Sequence, residues 1–312
     1  MLRELRRDDG PEFFSLMERG FPEENALLGG RPERFERVFR RVFRWDRRIL
    51  MGLLSLFGRP IVRALVVEAD GRVVATTLVT FPARSAYVSN VVVDANYRRR
   101  GYAREMLEEA RRSARRARRQ YLVLDVLETN VGARALYDSL GYRPLRSRSQ
   151  LVRELPNGFA ADPPREPAIR EMLRSDASAL VEIGRRQTPP EVEEVIPIGE
   201  GHFLTSTFVA HLLASEDAAW VVDRGNGPEG FVAANVSDVS AAAHLTAPTL
   251  AASVDEPLAR ALVATAEAWC SARKVPRILS MVANDNLRGR AVLEAMGFRH
   301  ARALWTLYRT VD

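Results

Sequence analysis

The 312-residue sequence is poor in lysine, cysteine, histidine and long apolar runs. Its single cysteine, Cys270, excludes an internal disulfide. Because no secretory signal is evident either, we expect a cytoplasmic protein. All four histidines lie in the second half, none with metal-ligand spacing to another, so we expect no metal site. No window approaches the roughly 20 consecutive apolar residues of a membrane-spanning helix.

Positive charge comes almost entirely from arginine, because Lys274 is the only lysine among 46 basic residues. The net charge of +6 at pH 7 raises the question of nucleic-acid binding. Basic grooves for single strands interleave aromatic side chains with the cations, and only Tyr121 lies near the densest arginine cluster. We therefore expect no nucleic-acid partner. The cluster is either a solvated helix face or a patch that attracts a polyanionic ligand; its members are Arg111, Arg112, Arg115, Arg116, Arg118 and Arg119.

The most informative stretch of the chain is residues 98–142. The apolar run Val91-Val92-Val93 precedes Arg98-Arg99-Arg100-Gly101-Tyr102-Ala103, which opens a helical pattern. A glycine turn at a helix N-terminus exposes backbone N–H groups, and the helix dipole favours negative charge there. Glycine also lets the backbone approach a ligand closely. This element predicts a phosphate-binding turn.

A second element lies downstream and reads Asn130-x-x-Ala133-x-Ala135-Leu136-Tyr137-x-x-x-Gly141-Tyr142. The two elements together resemble the GNAT superfamily of acyl-CoA-dependent N-acyltransferases. Arg98, Gly101 and Ala103 fill its phosphate motif, Gln/Arg-x-x-Gly-x-Gly/Ala. The resemblance implies acetyl-CoA as co-substrate and an α/β (α+β) fold, a mixed, mostly antiparallel twisted sheet flanked by helices. It also implies that strands Val88–Val93 and Tyr121–Leu127 splay apart to admit the pantetheine arm.

The chain repeats itself at an offset of 156 residues, which predicts two GNAT-like domains in tandem. Near the two starts, Leu2-Arg3-Glu4-Leu5…Asp9 resembles Ile169-Arg170-Glu171-Met172…Asp176. We expect domains at 1–152 and 167–312, with a proline-rich linker at 153–166. The residues that correspond at the 156-residue offset are Gly71 and Gly227, Ala103 and Ala259, Asn130 and Asn286, Arg134 and Arg290, Gly141 and Gly297.

The second copy differs where the first is expected to bind the cofactor. Val254-Asp255-Glu256-Pro257 replaces the arginine–glycine turn, and Leu293 replaces Tyr137. Two carboxylates would repel a pyrophosphate, and proline has no backbone N–H to donate. We therefore expect the second domain to lack the cofactor site.

The resemblance assigns roles to individual residues of the first copy. Tyr137 would protonate the departing thiolate, with a core tyrosine as the alternative role. Asn130 would line the cofactor path, and it is also a good helix N-cap. The residues expected to contact the cofactor are Val91, Val92, Val93, Arg98, Arg99, Arg100, Gly101, Tyr102, Ala103, Arg104, Asn130 and Tyr137.

The sequence does not identify the general base, because the strand before the phosphate turn offers Tyr87, Ser89 and Asn90 but no carboxylate. Asp125 and Glu128 on the next strand are candidates. Glu23 and Glu24 in an early loop, or a water chain, are alternatives.

The expected reaction is direct attack of a primary amine, on a small molecule or a peptide, on acetyl-CoA through a tetrahedral intermediate. The alternative is a non-catalytic module that binds or senses acyl-CoA. Segment 38–57 alternates apolar residues with arginines, a pattern also found in helices that lie on membranes. The resemblance implies instead that it walls the acceptor pocket. We favour the pocket wall and expect no stable membrane association.

Overall fold

The computed structural model describes residues 1–29, 62–156, 159–204, 215–237 and 240–311. The amphipathic segment 38–57 lies outside these ranges. Two compact units are present. Unit 1 comprises Met1–Leu145, Val195–Pro197 and Trp305–Asp312, and unit 2 comprises Arg146–Glu194 and Ile198–Leu304. Within the described ranges, no helix has both the length and the apolar character that a membrane crossing needs.

Unit 1 is built on a sheet in the order β1-β2-β3-β4-β5, followed by residues 305–310 at the end of the last strand of the chain. Every neighbouring pair from β1 to β4 is antiparallel, whereas β4 and β5 are parallel. Strands Val62–Ala69 and Arg72–Thr80 form a hairpin, with Asp70 and Gly71 at positive φ in its turn. The elements are β1 (Leu2–Glu4), α1 (Gly10–Gly20), α2 (Pro22–Leu28), β2 (Val62–Ala69), β3 (Arg72–Thr80), β4 (Ser85–Val93), α3 (Tyr102–Arg116), β5 (Tyr121–Leu127) and α4 (Val131–Ser139).

Unit 2 repeats this plan, with strands in the order β6-β12-β10-β9-β8-β7 and β11 on β9. Here β10 and β12 form the parallel pair, and β6 pairs with β12 in antiparallel fashion. The elements are β6 (Arg143–Glu154), β7 (Ile169–Glu171), α5 (Ala177–Gln187), α6 (Pro190–Val195), β8 (Ser215–Asp223), β9 (Pro228–Ser237), β10 (Ala242–Thr246), β11 (Thr249–Leu250), α7 (Glu256–Ser271), β12 (Arg277–Ala283), α8 (Leu287–Ala295) and β13 (Arg299–Thr310). The predicted mixed, mostly antiparallel sheet flanked by helices is confirmed.

Most of the last strand of the first repeat, and the end of the last strand of the second repeat, belong to the other unit. From Arg146 onward β6 belongs to unit 2, and from Trp305 onward β13 belongs to unit 1. Within unit 1, Leu307 is buried in the core and the Val311 N–H donates to the Gln120 carbonyl at 2.8 Å. The units thus depart from the predicted spans 1–152 and 167–312, because a strand pattern does not specify which sheet the strand joins. Whether those spans fold independently stays a prediction.

The predicted linker 153–166 begins too early, because β6 runs through Glu154. The irregular segment therefore starts after that strand, where the prolines crowd together. Asn157 and Gly158 lie outside the described residues.

Equivalent contacts confirm the repeat. Arg3 pairs with Asp9 at 2.6 Å and with Glu68 at 2.8 Å, ahead of α1. In unit 2, Arg170 pairs with Asp176 at 2.8 Å ahead of α5. Cys270 is fully buried in the core of unit 2, and burial raises the pKa of its thiol to about 12.

Candidate functional site

A gap between strands β4 and β5 lies at the centre of unit 1. The two strands pair from Ser85↔Tyr121 to Val88↔Leu124 and then continue without pairing to each other. On its other side β4 stays paired with β3 through Val93, across a bulge at which Asn90 adopts φ +56°. In the part of the chain that the structure describes, the backbone groups of Val91–Val93 that face β5 therefore have no strand partner along the gap. The expected splay is found.

The turn that follows β4 ends at Gly101, which precedes the first residue of α3. Arg99 and Gly101 have φ of +63° and +86°, and a Cβ on Gly101 would meet nothing within 4 Å. The first helical hydrogen bond runs from the Glu105 N–H to the Gly101 carbonyl at 3.0 Å. The N–H groups of Tyr102 and the next two residues, Ala103 and Arg104, therefore have no acceptor within the helix. This array suits an anion.

The arginines of this turn are exposed and bind neutral groups. Arg98 donates to the Val93 carbonyl at 3.2 Å, and Arg104 to the Ser139 hydroxyl at 2.8 Å. Arg100 lies over the Tyr97 ring, 4.9 Å from its centroid. In the described part of the chain, no ion pair to a carboxylate engages Arg98, Arg99, Arg100 or Arg104. Their positive charge is therefore not neutralised locally.

Helix α4 carries the second motif. The Asn130 side chain accepts from the Ala133 N–H at 3.1 Å, so asparagine caps this helix. Tyr137 is 5% exposed and packs in the core, its ring centroid 5.6 Å from that of Tyr142. Burial raises the pKa of Tyr137 to about 12, so its hydroxyl holds its proton throughout the neutral range. It is a core residue as well as a candidate acid.

Among the candidate bases, Asp125 lies at the gap itself. It is the first residue of β5 beyond the last pair with β4, and it accepts hydrogen bonds from Tyr87 and Thr306. Glu128 is exposed and follows the end of β5. Sequence reasoning missed Thr306, because it lies 181 residues from Asp125 and no local pattern joins them.

The sequence suggested an early loop for the alternative bases, but the structure places both in a helix. Glu23 and Glu24 belong to the first turn of α2. Proline at the helix start and the acidic first turn explain this placement, since both favour a helix N-terminus. Their catalytic role stays untested.

Three of the six arginines in the cluster pair with glutamates of α3. Arg111 contacts Glu108 at 2.9 Å, and Arg112 contacts Glu109 at 2.8 Å. Although burial raises the pKa of Glu109, hydrogen bonds from Arg112 and other arginines outweigh it and lower the value to about 2. These pairs fit the interpretation as a solvated helix face.

The counterpart of the phosphate turn in unit 2 has different chemistry. Asp255 caps α7 by accepting from the Leu258 N–H at 3.0 Å, and Pro257 has no N–H. The Arg288 guanidinium donates to the Ala251 carbonyl at 2.8 Å and also to Val254. At the 156-residue offset, Arg288 replaces Gly132. Among the described residues, no group of three potential metal ligands was found.

Comparison with known proteins agrees with this geometry. Residues 17–142 match the family model described as Acetyltransferase (GNAT) family. A solved tandem GNAT protein from the clavulanic acid biosynthesis pathway aligns at TM-score 0.66 and 16% identity, over 100% of this chain and 98% of its own. A GCN5-related N-acetyltransferase from Sphaerobacter thermophilus aligns at 0.66 and 16%, over 100% and 96%.

A putative acetyltransferase from Pyrococcus horikoshii aligns at TM-score 0.58 and 12% identity, over 99% of this chain and 89% of its own. At these identities the solved structures establish the fold, which is a tandem GNAT fold, and not a substrate. A search of curated proteins found no match.

Proposed function

Since residues 17–142 match the model of the acetyltransferase (GNAT) family, we propose that the chain transfers an acetyl group from acetyl-CoA to a primary amine. The acceptor amine belongs to a small molecule or a peptide. One observation carries the proposal, namely that the strand that borders the gap leads through the arginine–glycine turn to an N–H array at the start of α3 that has no acceptor within the helix. Such an arrangement seats a pyrophosphate at one end of an extended ligand and a thioester at the other.

Cofactor binding falls to the turn and the strand. Backbone N–H groups of Arg99–Arg104 hold the pyrophosphate, and the side chains of Arg98, Arg99, Arg100 and Arg104 add positive charge. Gly101 supports this role because its Cβ position is open and its φ of +86° suits glycine. Asn130 caps α4 beside the cofactor path.

Transfer requires a polarised carbonyl, a neutral amine and a proton for the leaving thiolate. Backbone N–H groups of Val91–Val93 stabilise the developing oxyanion. Tyr137 donates the proton to sulfur. Asp125 or Glu128 accepts the proton of the amine, and the position of Asp125 at the gap favours it over the exposed Glu128.

Unit 2 has no catalytic role in this proposal. Its turn offers carboxylates and carbonyl oxygens rather than N–H donors. We keep the cytoplasmic location, the absence of a nucleic-acid partner and the absence of stable membrane association as predictions.

The test measures thiol release from acetyl-CoA with three probe amines: 2-phenylethylamine, spermidine and a peptide with a free α-amine. We expect binding of acetyl-CoA together with acetylation of at least one probe class. Binding without turnover of any primary amine would favour the non-catalytic acyl-CoA module. Absence of acetyl-CoA binding would contradict both.

A further inference from the structure

Three side chains of unit 1 meet on the sheet face opposite α3. Leu122 and Leu124 of β5 pack with α3 residues in one core cluster, so Asp125 projects from the other face. Ala86 and Val88 of β4 belong to the same cluster, which places Tyr87 on the face of Asp125.

The Asp125 carboxylate is held at both oxygens by hydroxyl groups. The Tyr87 hydroxyl donates to Oδ2, and the Thr306 hydroxyl donates to Oδ1 at 2.7 Å. Thr306 is 2% exposed, so its side chain is fixed by packing. One oxygen anchored by a buried threonine directs the other oxygen at Tyr87.

This cluster coincides with the end of strand pairing. Tyr87 precedes Val88, the last β4 residue paired with β5, and Asp125 follows the last β5 residue, Leu124. The carboxylate therefore lies at the mouth of the gap proposed to admit the thioester. In unit 2 the residue at the 156-residue offset from Asp125 is Met281, which is paired to β10 and bears no carboxylate.

We propose that Tyr87 and Asp125 form the proton-accepting pair for the acceptor amine, and that Thr306 is the positioning residue that fixes Asp125. This inference rests on the proposed function and names the base within it. As the amine nitrogen forms its bond to the acetyl carbon, its proton passes to the Tyr87 oxygen and the Tyr87 proton passes to Asp125 Oδ2. The carbon–sulfur bond breaks as the carbonyl re-forms, and the thiolate takes the Tyr137 proton. The proton on Asp125 then leaves to water, and Tyr137 regains a proton from water, so that both groups return to their starting states.

The positioning claim is tested with Thr306→Val and Thr306→Ser. With whichever probe amine is acetylated, Thr306→Val should lower kcat about tenfold and leave the KM for acetyl-CoA unchanged. It should also move the acidic limb of the pH–rate profile upward, because the charged carboxylate loses a hydrogen bond. Thr306→Ser keeps the hydroxyl and should restore both values. Tyr87→Phe should lower kcat by at least as much as Thr306→Val.

Thr76→Val is the matched control, since Thr76 is another buried threonine of unit 1 and bonds only the Leu65 carbonyl in the described structure. It should leave kcat and the pH profile unchanged. If Thr306→Val behaves like Thr76→Val while acetyl-CoA still binds and an amine is still acetylated, the inference fails and the proposed function stands.

A second measurement needs no acceptor. The ¹³C carboxyl signal of Asp125, assigned by its loss in Asp125→Asn, is titrated in the wild type and in Thr306→Val. We expect the titration midpoint to rise by about one pH unit in the variant. An unchanged midpoint would overturn the positioning role, whatever the outcome of the amine assay.

Discussion

Helices α3 and α7 begin at equivalent places in the two repeats but present opposite groups to solvent. At α3 the cap is Gly101, with open space around it and helix N–H groups exposed. At α7 the cap is Asp255, whose carboxylate occupies the Leu258 N–H. We propose that the same backbone plan binds an anion in unit 1 and excludes it in unit 2.

The residue at the start of the following helix reinforces this difference. Gly132 of α4 leaves the region open, since a Cβ there would meet nothing within 4 Å. Its counterpart Arg288 spans backbone carbonyls of the α7 turn. We propose that Asp255, Pro257 and Arg288 together keep the cofactor out of unit 2, although its fold repeats that of unit 1.

The largest expected effect is that of Gly101→Glu. A carboxylate at the pyrophosphate position and a non-glycine residue at φ +86° should weaken acetyl-CoA binding more than 100-fold. Calorimetry measures the Kd. Gly227→Glu is the matched control, because Gly227 also has positive φ and open space but lies in unit 2. Equal Kd values for the two variants would contradict the assignment of the pyrophosphate site to the Gly101 turn.

Tyr137→Phe should lower kcat about 10- to 100-fold with acetyl-CoA affinity retained. Because the Tyr137 pKa is raised to about 12, wild-type kcat should show no alkaline loss of this acid up to about pH 10. Tyr142→Phe is the control, since the buried Tyr142 hydroxyl has no hydrogen-bond partner in the described structure. An unchanged kcat in Tyr137→Phe would leave this tyrosine as a core residue alone.

Gly132→Arg transfers the unit 2 feature into unit 1. The guanidinium should occupy the turn and weaken acetyl-CoA binding about tenfold, although its charge alone would favour an anion. Gly132→Ala, which adds only a Cβ in open space, should bind like the wild type. Tighter binding in Gly132→Arg would mean that Arg288 does not block the equivalent turn.

The smallest expected effect concerns the arginine–aspartate ion pair that precedes the first helix in both units. Hydrogen bonds from Arg170 lower the pKa of Asp176, despite some burial, so the ion pair stabilises unit 2 above the unfolded pKa of about 3.9. Asp176→Asn should therefore cost about 1 to 2 kcal/mol at pH 7. The cost should shrink as the pH falls through the lowered pKa. Denaturant unfolding at pH 7 and pH 3 measures this, and a cost independent of pH would exclude the ion pair as its source.

The sequence predicted those features of the fold and the site that depend on a few neighbouring residues. The glycine turn and the Asn130 cap were each predicted from a few neighbouring residues, and the structure places them as expected. The tandem repeat was also visible, because the same offset links short motifs without a gap.

Contacts between residues that lie far apart in the sequence could not be predicted from it. Nothing near residue 306 shows that this strand joins the sheet of Asp125, and nothing near Arg288 indicates which carbonyl groups it will bind. Strand periodicity specifies a face but not a partner strand. The unit boundaries and the hydroxyl groups around Asp125 therefore required three-dimensional coordinates.

The central claim is that one of the two copies binds the cofactor. The most direct test is the stoichiometry of acetyl-CoA binding by calorimetry, for the wild type and for Arg288→Gly. The account predicts one site per chain in both proteins, because Asp255 and Pro257 still occupy the α7 turn when Arg288 is removed. Two sites in the wild type would contradict the account.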